Sequence, residues 1–138
     1  MTLQDQFPAG PSTKILAVMS DLFFSAKIND AAKKLGMTAE FVKDKTIAIE
    51  KAKSKPPLII LDLSCDAADP LNLIAGIKSD PETKGIVMIG FISHVQTELR
   101  QRAQEMGCNM VVARSAFAQN LPAILEASLS RVQSREAD

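Results

Sequence analysis

Five short apolar runs, each followed by a stretch of helical periodicity, constrain this chain more than any other feature. The runs are 14–19 (KILAVM), 38–43 (TAEFVK), 58–62 (LIILD), 86–91 (IVMIGF) and 110–113 (MVVA). Strands that are apolar along their whole length have no face to offer water, which implies a parallel sheet covered on both sides. Right-handed crossovers then give a three-layer α/β/α sandwich, with two helices on one face and three on the other.

The helical stretches are read from spacing and punctuation. Phe24, Ile28, Ala31 and Leu35 step by four, three and four, with Asp21 near the start and Gly36 at the end. Thr46–Ser54 is a weaker helix, capped by Asp44 or Thr46 and stopped by Pro56-Pro57. Asp69-Pro70 opens a third, with Leu73, Ile74 and Ile77 inward. Val95, Leu99, Ala103 and Met106 mark a fourth, ended by Gly107. Phe117, Leu121, Ile124, Leu125 and Ser128 line a single fifth helix reaching Arg131.

A length of 138 residues suits one domain. We expect a mobile leader over 1–13, the domain over 14–131 and a polar tail over 132–138. Lys and Arg total 16, as do Asp and Glu. This balance argues against a dedicated nucleic-acid or membrane-surface binder. There is no signal-peptide pattern, and the two cysteines, Cys65 and Cys108, form no Cys-x-x-Cys pair. A cytoplasmic protein with reduced thiols is the expectation. One histidine, His94, leaves little material for a zinc site or a triad. No nucleophile elbow accompanies Ser93-His94, so a solvated loop histidine is the reading. Lys43, Lys45, Lys51, Lys53 and Lys55 read as a solvated face, with an acidic partner the alternative. Glycine-rich dinucleotide and nucleotide loops are absent, and so is a Ser/Thr-rich phosphate loop of the FMN type after the first strand.

Chemistry in an open parallel sheet gathers beyond the carboxyl ends of the strands. The segments meeting there are Met19-Ser20-Asp21, Asp62-Leu63-Ser64, Gly90-Phe91-Ile92 and Ala113-Arg114-Ser115. Asp62, directly after four apolar residues, is the leading candidate, the plain alternative being a strand-end carboxylate or a helix cap. Arg114 approaches it from the fifth strand and is expected within direct or water-bridged reach.

In these residues the chain resembles the receiver domain of two-component response regulators, a CheY-like, flavodoxin-like fold. KILAVMSD, LIILDLS, IVMIGF and MGCNMVVARSAF carry the resemblance, which covers 14–131. It implies strand order 2-1-3-4-5 and places the phosphoacceptor aspartate on Asp62. The family's acidic pair, which holds magnesium, falls on Met19 and Ser20, with Asp21 one position late. The switch Ser/Thr matches Gly90, the lysine matches Arg114, the proline after it Ser115, and the aromatic switch Val111.

The resemblance therefore implies a degenerate, stand-alone receiver without catalytic residues. It would signal through a protein partner, such as a histidine kinase or an output protein, at residues 95–131, or through a homodimer. No cofactor is expected. Under the alternative, phosphorylation of Asp62 in a phosphorelay, Mg²⁺ would be held by Asp21, Asp62 and Ser64. A small-molecule-binding flavodoxin-like domain is a third reading.

Overall fold

The structure, a computed structural model, describes residues 14–93 and 96–137, with side chains as far as residue 130. Its strands are β1 (Lys14–Val18), β2 (Thr38–Val42), β3 (Leu58–Asp62), β4 (Val87–Ile92) and β5 (Met110–Ala113). The helices are α1 (Leu22–Lys34), α2 (Lys45–Ala52), α3 (Pro70–Ser79), α4 (Thr97–Glu105), α5 (Arg114–Gln119) and α6 (Leu121–Ala137), with a short 3₁₀ turn at Asp66–Ala68. All strand pairs are parallel, in the order β2-β1-β3-β4-β5.

Side-chain alternation divides the core. Leu16, Val18, Ile59, Leu61, Met88, Ile92 and Val111 face α2, α3 and α4, where they meet Ala48, Leu73, Ile74, Ile77 and Ala103. Ile15, Ala17, Leu58, Ile60, Ile89 and Phe91 face α1, α5 and α6, where they meet Phe24, Ile28, Phe117, Leu121 and Leu125. Leu58 to Leu61 are fully buried, as an all-apolar central strand requires. Each such Leu or Ile contributes about 1.5–3 kcal/mol.

Local chemistry sets the ends. Asp21 and Asp44 cap α1 and α2 through side-chain oxygens, so the second cap is Asp44 and not Thr46. Gly36 and Gly107 take the positive φ that closes a helix. The expected single fifth helix is two helices. The chain breaks at Asn120, because Pro122 has no N–H to continue the first and is suited to the opening turn of the next. Three helices therefore lie on each face. The α6 backbone stays helical through 132–137, since that stretch contains no Gly or Pro. The expected leader 1–13, His94 and Val95 lie outside the described residues.

Candidate functional site

The pairings Asp62↔Phe91 and Ile92↔Ala113 bring the carboxyl ends of β3, β4 and β5 level with one another. Asp62 closes β3 and is buried. Its Oδ1 accepts the Ser64 backbone N–H at 2.8 Å, and its Oδ2 faces Arg114 Nη2 at 3.4 Å. Arg114 opens α5, and its Nη1 lies 3.5 Å from Asp21 Oδ2. One guanidinium thus spans two carboxylates, one in the loop after β1 and one at the end of β3. The Asp21 Oδ1 is already engaged, accepting the backbone N–H groups of Phe23 at 2.9 Å and Phe24 at 3.2 Å.

The guanidinium also lies over aromatic rings. Arg114 Cζ stands 5.0 Å from the Phe24 ring centre and 5.6 Å from that of Phe91. Phe24, Phe91 and Phe117 stack nearly parallel beneath it, with Phe91 5.2 Å from Phe24 and 5.1 Å from Phe117. The ring faces carry negative quadrupole density that attracts the cation, and the packed stack fixes where the rings lie. A shallow cleft of about 340 Å³, lined by Phe24, Ser93, Arg114, Ser115 and Ala118, opens beside this group.

Burial pushes the Asp62 carboxyl above its ordinary range. The Ser64 amide and the Arg114 charge oppose that rise, while the Asp21 charge adds to it.

The remaining sequence candidates separate. Ser20 and Ser64 are exposed beside the carboxylates. Met19, expected in the pocket, is instead buried in the apolar core under α1 and α6. Gly90, expected at the end of β4, lies two residues inside it, because the strand runs to Ile92. A Cβ on Gly90 would point at Leu63 and Cys108 in the core. The residue that does end the strand, Ile92, is equally without a hydroxyl. Val111 is buried against the same core. The aromatic shelf under Arg114 was missed by sequence reasoning. Its only signal was that Phe24, Phe91 and Phe117 each fall at a core position near the carboxyl edge.

The described residues do not fit a divalent cation. They contain no group of three or more Asp, Glu, His or Cys side chains placed to hold one. Mg²⁺ is held in octahedral array by one or two carboxylates, with water completing its shell, so it needs carboxylate oxygens free to turn to it. Here both Asp21 and Asp62 spend one oxygen on backbone amides and turn the other to a cation already present.

The fold is that of response-regulator receiver domains. The chain superposes on the signal receiver domain of an HD domain-containing protein from Pseudomonas fluorescens Pf-5 with a TM-score of 0.78, at 20% identity over 94% of this chain and 95% of that one. Against the phosphorylated cyanobacterial phytochrome response regulator RcpA the TM-score is 0.75, at 21% identity over 87% and 96%. Against the receiver domain of the sensor histidine kinase PA1611 from Pseudomonas aeruginosa PAO1, solved with magnesium in its active-site cleft, it is 0.74, at 18% identity over 86% and 98%. No family profile matches the sequence, and no curated protein matches it significantly. At these identities the likeness is one of fold. No helix among the described residues is long and apolar enough to cross a membrane.

Proposed function

We propose that this chain is a degenerate receiver module that acts in signal transduction through protein–protein contact, without conventional phosphorylation. The observation that carries this reading is the Arg114 bridge between Asp21 and Asp62. Aspartyl phosphorylation draws on a carboxylate-held Mg²⁺ to offset the charge of the transferred phosphoryl group. The acceptor here is instead paired with an arginine, and Met19 and Ser20 bring no charge where the resemblance puts the metal-binding pair.

The contact surface implied by the resemblance is α4, β5 and the α5–α6 segment, within 95–131, meeting a histidine kinase or an output protein. The large exposed apolar residues favour a second contact at the start of α1. Leu22 is 85% exposed and Phe23 68%, directly beside Asp21.

A second reading, phosphorylation of Asp62, is favoured by the position of that carboxylate at the end of the central strand. It needs Arg114 to withdraw and Asp21 to turn toward a metal. Incubation with phosphoramidate and Mg²⁺, followed by intact-mass measurement, tests the choice. The degenerate reading gives no phosphoryl adduct. An adduct lost in Asp62→Asn would establish the second reading.

A further inference from the structure

We propose that Arg114 is the resident cation of this site: its guanidinium holds, between Asp21 and Asp62, the place a divalent ion would have to take. The inference deepens the reading above and rests on it for the identity of the site. Its physical case is independent of any partner.

Three features carry it. First, the two terminal nitrogens of one side chain reach two different carboxylates, at 3.5 Å to Asp21 and 3.4 Å to Asp62. That is bridging, the role a metal ion plays between two acids. Second, the oxygens not facing Arg114 are committed to the Phe23, Phe24 and Ser64 amides. An incoming ion would have to displace the guanidinium, since stripping those amides would undo the α1 cap and the β3 turn. Third, the cation rests on the Phe24 and Phe91 rings. A planar, weakly hydrated guanidinium suits an aromatic shelf, whereas a small, strongly hydrated Mg²⁺ does not.

A latent metal site follows. Removing the guanidinium leaves two carboxylates facing a common space with no cation between them, and a divalent ion then gains what Arg114 gave up.

The test uses Mg²⁺ alone and reads the Ser64 amide, which touches Asp62 directly. In the wild-type chain, millimolar Mg²⁺ should leave that resonance without a saturable shift. In Arg114→Gln, a saturable millimolar shift should appear, together with a Mg²⁺-dependent rise in Tm absent from the wild type. Both should vanish in Arg114→Gln combined with Asp62→Asn. Saturable wild-type binding would overturn the proposal, and so would a folded Arg114→Gln chain that ignores Mg²⁺. Should Arg114→Gln fail to fold, the wild-type Arg114 Nη signals decide. Resolved signals unmoved by millimolar Mg²⁺ uphold the resident cation, and broadening or shifts on adding the metal reject it. A phosphoryl adduct that forms while Arg114 stays in place would sink the degenerate reading but not this one.

Discussion

Leu63 occupies the space in front of Gly90. A Cβ built on Gly90 would stand 3.0 Å from Leu63 Cδ1, 3.2 Å from its Cγ and 3.4 Å from Cys108 Sγ. The residue after Asp62 is thereby wedged against β4, and Leu63 is too buried to move aside freely. Overpacking of this kind costs about 1–3 kcal/mol, which exceeds the roughly 0.5–1 kcal/mol usually gained on replacing a strand glycine. Gly90→Ala should therefore destabilise by about 1 kcal/mol in urea unfolding, and Gly90→Thr by more. Adding Leu63→Ala should relieve most of the Gly90→Ala penalty, a coupling that a double-mutant cycle reads directly.

Asp21 does two jobs, and two substitutions separate them. Asp21→Ala removes both the α1 cap and one partner of Arg114, and should cost about 1–2 kcal/mol. Asp21→Asn keeps a capping oxygen for the Phe23 and Phe24 amides and should cost less than half as much. Equal losses in the two variants would show that the charge toward Arg114, and not the cap, is what the fold uses.

The raised Asp62 carboxyl makes a pH prediction. A group whose folded pKa lies above its unfolded value favours folding when protonated. That contribution is complete below the ordinary value of 3.8 and is lost as pH rises through the higher native value. Asp62→Asn carries no such titration. Its stability relative to wild type should improve as pH rises across that window and then level off. Denaturant midpoints of both proteins between pH 3 and pH 7 test the trend, and a relative loss over the same range would contradict it.

Burial pushes the Cys108 thiol up to about 11, and Cys65 is buried as well. Both sulfurs are packed away from solvent in the folded chain. Native protein at pH 8 should react negligibly with a thiol-specific chromogenic reagent, and two thiols should titrate after unfolding. Rapid labelling of either cysteine in the native state would contradict the packing around it.

The architecture was legible because it is written in composition at two scales. A run such as LIILD, short, rich in isoleucine and set off by Pro56-Pro57, reads as a buried strand, and Asp21, Asp44 and Gly36 mark helix ends with local chemistry. The approach of Arg114 to Asp62 was legible too, because each directly follows an apolar strand and parallel pairing levels those ends. The break at Asn120 escaped in the fold, and three features escaped at the site. Shifting β4 by one residue moved Gly90 from the strand end into the core, since an all-apolar run carries no internal mark of where pairing stops. Met19 continues the alternation of β1 past the strand itself, so its side chain turns inward to the core. The shelf of Phe24 and Phe91 joins α1 to β4 across 67 residues, a tertiary meeting that no local spacing encodes.

Beryllofluoride with Mg²⁺ probes most directly the proposal that Arg114 closes this pocket to phosphoryl chemistry. Amide resonances of the wild-type chain are followed through the titration. The account predicts no saturable shift at Asp62, Leu63 or Ser64, and none in β5. Saturable shifts that begin around Asp62, spread to Met110–Ala113 and disappear in Asp62→Asn would contradict it and show a working phosphoacceptor.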